Sequence, residues 1–470
     1  MKSRLVLGLG EDVPMLRFRR LIVACLGVVV VLGVSAVPAS AAPTTHTGAF
    51  ADGATFLIEV PSPWNGSLLL YSHGYVPPSS ANPARDVGDP GTRAFLLSQG
   101  FALAGSSYAT TGWALEDAFK DQIATLDTFA ALVGKPKRTI AWGHSLGGII
   151  TAGLLQKFPD RFSAALPMCG VLAGGVAVWN EGLDGEFVIK TLLAPRSSLQ
   201  LVHITTGVAN LNLSEAILAE AQKTAQGRAR IALAAAVGDL PGWFNPASPE
   251  PGATDFAVQE QNQFLWLTQV DGPFVFLLRG ELEARAGGNP SWNTGVNYEE
   301  QLARSIDRAE VRSLYQQAGL NLDADLDALN NATRIKADPS AVKYLVKNVV
   351  FNGNLSGKPV LTIHTTGDGL VLNSDEQAYR SVVRDADNGS LLRQAFVHRA
   401  GHCTFTPAET VAAVQALVKR LNTGRWDSVA TPSSLEAAAA ALGPLNIVPP
   451  AYVAFQPAPF LRPFDLGEDD

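Results

Sequence analysis

Along this chain the period of the apolar positions changes twice, and the two changes divide it. From about Thr47 short apolar runs alternate with amphipathic stretches, the pattern of βαβ units and a mostly parallel sheet. TFLIEV and SLLLYSHG predict early strands, and TRAFLLSQG predicts a helix leading into the strand FALAGSSY. Phe119, Ile123, Leu126, Ala130 and Val133 recur at helical spacing until Gly134 and Pro136 stop the run. RTIAWGH reads as the next strand. Leu146, Ile149, Ile150, Leu154, Leu155 and Phe158 mark one face of the helix after it, and FSAALPMCG follows as a strand.

From about Val171 to Val350 the rhythm is helical, carried by SEAILAEAQKTAQ, RARIALAAAV, NYEEQLARSIDRAEVRSLYQQ and AVKYLVKNVV between Gly/Pro/Asn-rich turns. Strand periodicity returns at KPVLTIHTTGD, then come a helix at about Ser374 to Val383, the strand LLRQAFVH and the helix AETVAAVQALVKRL. Strands of one rhythm on both sides of a helical block predict an α/β domain, residues 42–170 and 351–424, interrupted by a helical insertion at 171–350. Beyond it, residues 425–470 hold one Ala-rich helix at about Ser433 to Leu442 and the stretch PPAYVAFQPAPFLRPF. Its prolines exclude regular strand or helix. Its aromatics predict an extended strap packed on the body, with a disordered tail as the alternative.

The N-terminus stands apart. Arg17, Arg19 and Arg20 precede LIVACLGVVVVLGVSAV, and small residues follow at Ala39 to Ala41. That order is a secretory signal, residues 1–41, cleaved after about Ala41, which predicts a secreted protein without a stable membrane anchor; an uncleaved anchor is the alternative. A composition of 47% hydrophobic and 17% charged residues supports a large folded core. The net charge of -7, with no Lys/Arg cluster in the body of the chain, excludes the basic stripe that phosphate backbones require, so no nucleic-acid partner is expected.

GHSLG, Gly143 to Gly147, sets a serine between two glycines at a strand-to-helix junction. Such a junction turns so sharply that only small flanking residues fit, which leaves the hydroxyl exposed above the sheet edge and over a helix N-terminus. These residues resemble the nucleophile turn of the α/β-hydrolase superfamily. The resemblance implies a mostly parallel sheet flanked by helices with an inserted helical cap, and a chain order of serine, acid, histidine. On that order Ser145 is the nucleophile and Asp368, in LTIHTTGDGLVL, the acid, although Gly-Asp-Gly is also ordinary turn chemistry. Only His398 and His402 follow. His398 still lies on a strand, whereas His402 in RAGHCTF sits on a loop free to reach back, which favours it as the base. The backbone N–H groups of Leu146 and of Tyr75, the latter in YSHGY, a stretch similar to the superfamily's His-Gly motif, are the expected oxyanion donors. His73, Tyr108 and Trp113 are candidate pocket residues at strand ends, with core packing as the alternative. His144 reads as a packing or hydrogen-bonding residue rather than a second base.

If the leader is removed, Cys169 and Cys403 remain, and export would expose them to conditions in which a pair can be bridged. A bridge would pin the histidine loop; two free buried thiols are the alternative. His402-Cys403 resembles half of the paired-cysteine arrangement of tannases and feruloyl esterases, whose partner cysteine stands directly before the nucleophile. Here His144 holds that position. Asp323, Asp325 and Asp327 have the spacing that begins a calcium loop, but Ala328 and Arg334 stand where glycine and glutamate are required. With no metal cluster or nucleotide motif in the sequence, no cofactor and no metal is expected.

The expected protein is therefore a secreted serine hydrolase of a small-molecule ester, with an exopeptidase or amidase on the same triad as the alternative and a non-catalytic binding protein as a third reading. Glu181, Asp184 and Glu186 in WNEGLDGE could hold a substrate amine, or be solvated loop acids. FLWLTQVDGPFVFLL, the insertion's most apolar stretch, reads as its own core or as a lid over greasy substrates.

Overall fold

The computed structural model describes residues 42–464, so the expected leader with Cys25 and its cleavage point lies outside the described residues. Their strands are β1 (Thr44–Ala49), β2 (Thr55–Val60), β3 (Ser67–Ser72), β4 (Ala102–Ser106), β5 (Arg138–His144), β6 (Ala164–Met168), β7 (Val360–Gly367), β8 (Leu392–Ala400) and β9 (Tyr452–Val453). They join in one sheet of order β1-β2-β4-β3-β5-β6-β7-β8-β9. From β4 to β8 every neighbouring pair is parallel, and β1, β2 and β9 add antiparallel edges. Strands β4, β6 and β7 are buried along their whole length, as a parallel sheet covered on both faces requires.

The covering helices explain the two periodicities. Before the insertion stand α1 (Pro90–Ser98), α2 (Leu115–Leu132) and α3 (Leu146–Lys157). Leu68, Leu70 and Ala141 face the apolar stripes of α2 and α3, whereas Leu69, Tyr71 and Trp142, one residue out of phase, face α1 and the helix that follows β8. Between β6 and β7 run α4 (Gly175–Val188), α5 (Gly207–Ala221), α6 (Ala225–Val237), α7 (Phe256–Trp266), α8 (Arg279–Ala286), α9 (Tyr298–Arg304), α10 (Arg308–Ala318), α11 (Leu322–Asn331) and α12 (Pro339–Lys347). They enclose a second core around α6, whose Ile231 to Val237 are all buried. The chain then supplies α13 (Ser374–Asp385), α14 (Pro407–Thr423) and α15 (Pro432–Ala440).

Three local readings change. NYEEQLARSIDRAEVRSLYQQ is two helices, because the backbone turns extended at Ser305. FLWLTQVDGPFVFLL is helical, with π-helical turns at Leu267–Asp271 and Phe274–Leu278 on either side of Gly272-Pro273, where Pro273 has no N–H to donate. The C-terminal stretch does pack on the body, yet Tyr452 and Val453 form a short edge strand between its prolines, a position where missing donors are tolerated. Phe460 and Leu461 are buried farther on. Asp325, from the calcium-like run, pairs with Arg230 and accepts from Tyr315 instead.

Candidate active site

Ser145 occupies the sharp turn between β5 and α3, with φ 58° and ψ −125°, a conformation strongly disfavoured for a side-chain-bearing residue. Sterics dictate the glycine two residues on: a Cβ on Gly147 would lie 1.9 Å from the Ser72 carbonyl oxygen. The Ser145 N–H donates to the Met168 oxygen at 3.0 Å, fixing the turn to the end of β6. On its other side the chain after β3 passes so close that a Cβ on Gly74 would be 3.3 Å from that of Ser145. Tyr75 and Leu146 thereby flank the serine, and both line the cavity above it.

Asp368, at the end of β7, is fully buried. Its Oδ1 accepts from the N–H groups of Leu370 and Val371 at 3.0 and 3.1 Å, and its Oδ2 lies 2.8 Å from His402 Nδ1. A second imidazole, His364, stands 3.6 Å from the same Oδ2, donates from Nε2 to the Val371 oxygen at 2.9 Å and meets Glu376 at 3.3 Å through Nδ1. Burial alone would raise the Asp368 carboxyl, but the two imidazoles outweigh it and hold it at about 2. Burial would likewise lower His364, yet Asp368 and Glu376 push it up to about 10. Behind the acid, His364 thus stands between the side chains of Asp368 and Glu376, all three buried.

His402 follows Gly401 on the loop after β8, and Cys403 beside it is bridged to Cys169 at the end of β6. The bridge fastens the histidine loop to the strand next to the serine turn. Cys169, Cys403 and His402 crowd together as metal ligands can, but the sulfurs are bonded to each other. Among the described residues no hydrogen bond joins Ser145 Oγ to His402; such looseness is common before substrate binds. His144 is unsuited to act as a second base: burial pushes it down to about 4, and its Nδ1 is 3.1 Å from the Tyr71 hydroxyl. His398 stays on β8, against Trp243 and 3.4 Å from Glu250.

The cavity over Ser145 lies between sheet and insertion and amounts to about 1020 Å³, counting its open mouth. Of the three pocket candidates, Trp113 lines it. His73 and Tyr108 do not: their rings stack 4.0 Å apart, and the Tyr108 hydroxyl donates to the His73 oxygen, so they buttress the Gly74 turn from the core. The roof comes from the insertion: Leu267, Phe274 and Val275 of the apolar stretch for which a lid was one expectation, with Trp179 and Ile189 from α4 and the turn after it, which had no pocket role in the sequence. Trp266 packs on the acid's loop so tightly that a Cβ on Gly369 would lie 2.3 Å from its ring, a steric reason for the second glycine of Gly-Asp-Gly. WNEGLDGE is not a solvated loop. It belongs to α4, and Glu181, Asp184 and Glu186 are all buried. Glycines 182 and 185 in that helix open the cavity wall on one side and let α6 approach on the other.

Strand order, serine turn and the Asp-His pair at the carboxyl ends of the strands define a serine hydrolase of the α/β-hydrolase superfamily. Residues 100–174, which hold the serine turn, match the prolyl oligopeptidase family. The chain is 29% identical over 429 residues to an o-phthalyl amidase of Xanthobacter agilis, covering 85% of this chain and 91% of that relative. Among solved structures it is similar to an esterase from Aspergillus oryzae, with a TM-score of 0.42 and 16% identity over 81% of this chain and 79% of that one. Feruloyl esterase B from the same organism gives a TM-score of 0.39 and 15% identity over 81% and 80%.

Proposed function

We propose that this chain is an exported acyl hydrolase whose substrates are small amides. The observation that carries the hydrolytic reading is the 2.8 Å contact of His402 with the buried Asp368 carboxylate, on a loop bridged to the strand beside the Ser145 turn. Ser145 Oγ attacks the acyl carbonyl while His402 Nε2 takes its proton, and the backbone N–H groups of Tyr75 and Leu146 hold the oxyanion. His402 then returns the proton to the departing amine, leaving an acyl-enzyme. Water, deprotonated by the same imidazole, releases the acid and restores the serine. Asp368 keeps the Nδ1 proton of His402 in position and stabilises the imidazolium.

The likeness to an amidase along most of both chains supports amides over esters. The carboxylic-ester reading stays as the second, since the same residues serve both and esters are the easier bond. The leader-like residues 1–41 support export. A matched pair decides: the p-nitroanilide and p-nitrophenyl ester of one acyl group, assayed with the wild type and Ser145→Ala. Turnover of both, reduced at least about a thousandfold in the variant, is expected. Ester turnover with an untouched anilide across several acyl groups would replace the amidase reading by the esterase one.

A further inference from the structure

We propose that the cavity binds substrates bearing a protonated amine, recognised by Glu181 and Glu186 of α4, an inference that rests on the serine-hydrolase reading of Ser145. Three carboxyls on that helix contrast with one another. Asp184 is fully provided for by Arg462, Tyr298 and Gln301. Glu181, one turn earlier and only 2% exposed, has an Oε1 with no partner. Glu186, also 2% exposed, takes Arg279 at 3.5 Å through Oε1 and leaves Oε2 unpartnered. An unpartnered carboxyl oxygen out of water is unfavourable; with Asp271 Oδ2, three of them stand beside the same cavity, next to the unpartnered donors Tyr75 OH, Trp113 Nε1 and Trp179 Nε1, so the wall holds polar groups that a bound cation with its own donors would satisfy.

The cavity lining says which donor fits. Glu181, Glu186, Asp271 and Asp375 line it, and among the described residues no lysine or arginine does. Arg279 sits behind the wall, over the Trp179 ring and bonded to Ser291 and the Trp179 oxygen. Tyr75, Trp113, Trp179 and Phe274 supply aromatic surface, to whose faces a cation is attracted. Burial, with Asp239, Asp375 and Asp184 nearby, holds Glu181 well above the usual carboxylate range. An arriving ammonium reverses that balance by pairing with the carboxylate form. A substrate carboxylate would face acidic and apolar side chains among these lining residues.

The test is kcat/KM for p-nitrophenyl esters of three similar acids: para-ethylbenzoic, para-(aminomethyl)benzoic and para-carboxybenzoic. The aminomethyl ester is expected at least about tenfold above the ethyl one and the carboxy ester below both, with the aminomethyl-to-ethyl ratio collapsing toward one in Glu181→Gln. Equal rates, or a preference for the carboxy ester, overturns the proposal even without the variant. Binding separates this from a failed hydrolase reading. Tryptophan fluorescence of Ser145→Ala is titrated with benzylamine, benzyl alcohol and benzoate. Saturable binding of the amine alone, weakened by Glu186→Gln, supports the amine site in a protein that turns over nothing. Binding of the alcohol or benzoate as tightly as the amine sinks it.

Discussion

His364 has no access to water and lies between the Asp368 and Glu376 carboxyls, so its charge contributes to stability over a definite range of pH. Its folded-state value, about 10, stands above the ordinary 6.5, so that contribution is complete below about 6.5 and is lost as pH rises through about 10. The melting temperature of the wild type should therefore fall more steeply from neutral pH to about pH 10.5 than that of His364→Gln. Parallel curves would mean that the ring is neutral throughout. Residues differ in how far sequence reveals them. Ser145 announces itself, because only small neighbours permit its turn. Loop position alone favours His402 over His398 in the sequence, and in the structure His402 Nδ1 lies 2.8 Å from Asp368 Oδ2. His364 gave no signal, since a histidine inside an apolar strand looks the same whether it packs or pairs. Glu181 and Glu186 leave two readings open in the sequence, a hold for a substrate amine and a solvated loop, and only the loop is corrected: nothing local reveals that a second layer of helices buries them.

At the scale of elements, the bridge between Cys169 and Cys403 ties the end of β6 to the loop after β8 across a sequence separation of 234 residues. Closing so long a loop restricts the unfolded chain by up to about 5 kcal/mol. The double variant Cys169→Ser, Cys403→Ser should melt several degrees lower, and its kcat should fall further than its KM changes, because the imidazole loses its anchor. An unchanged kcat in a folded, less stable protein would assign the bridge to stability alone. The sheet strands and their helices were legible because period 2 and period 3.6 alternate cleanly there. In the insertion the helices were visible but their irregularities were not. Ser305 breaks one run and π-helical turns flank Gly272-Pro273 in another, although the apolar spacing continues across both. The edge strands β1 and β9 were missed for the opposite reason: β1 is largely exposed and β9 is two residues long.

For the molecule as a whole, the C-terminal strap joins the two layers that enclose the cavity. It pairs with β8 at the sheet edge, takes Arg304 of α9 on the Phe460 oxygen, and sends Arg462 to Asp184 in α4. Sheet, insertion and strap thus converge on the helix that carries the proposed amine site. The order of sheet and insertion could be read from the chain. The roof of the cavity could be read only in part: FLWLTQVDGPFVFLL offered a lid, but its meeting with Trp179 and Ile189 could not be read, because residues far apart in sequence come together there only after the insertion has folded over the carboxyl ends of the strands. Hydrolysis at this site requires Ser145 to be a nucleophile served by His402. The most direct test is a fluorophosphonate probe on the folded protein, with the labelled peptide located by mass. A single adduct on the peptide containing Ser145, absent in Ser145→Ala and formed about a hundredfold or more slowly in His402→Ala, is the predicted result. No adduct, or one on a different serine, would contradict it.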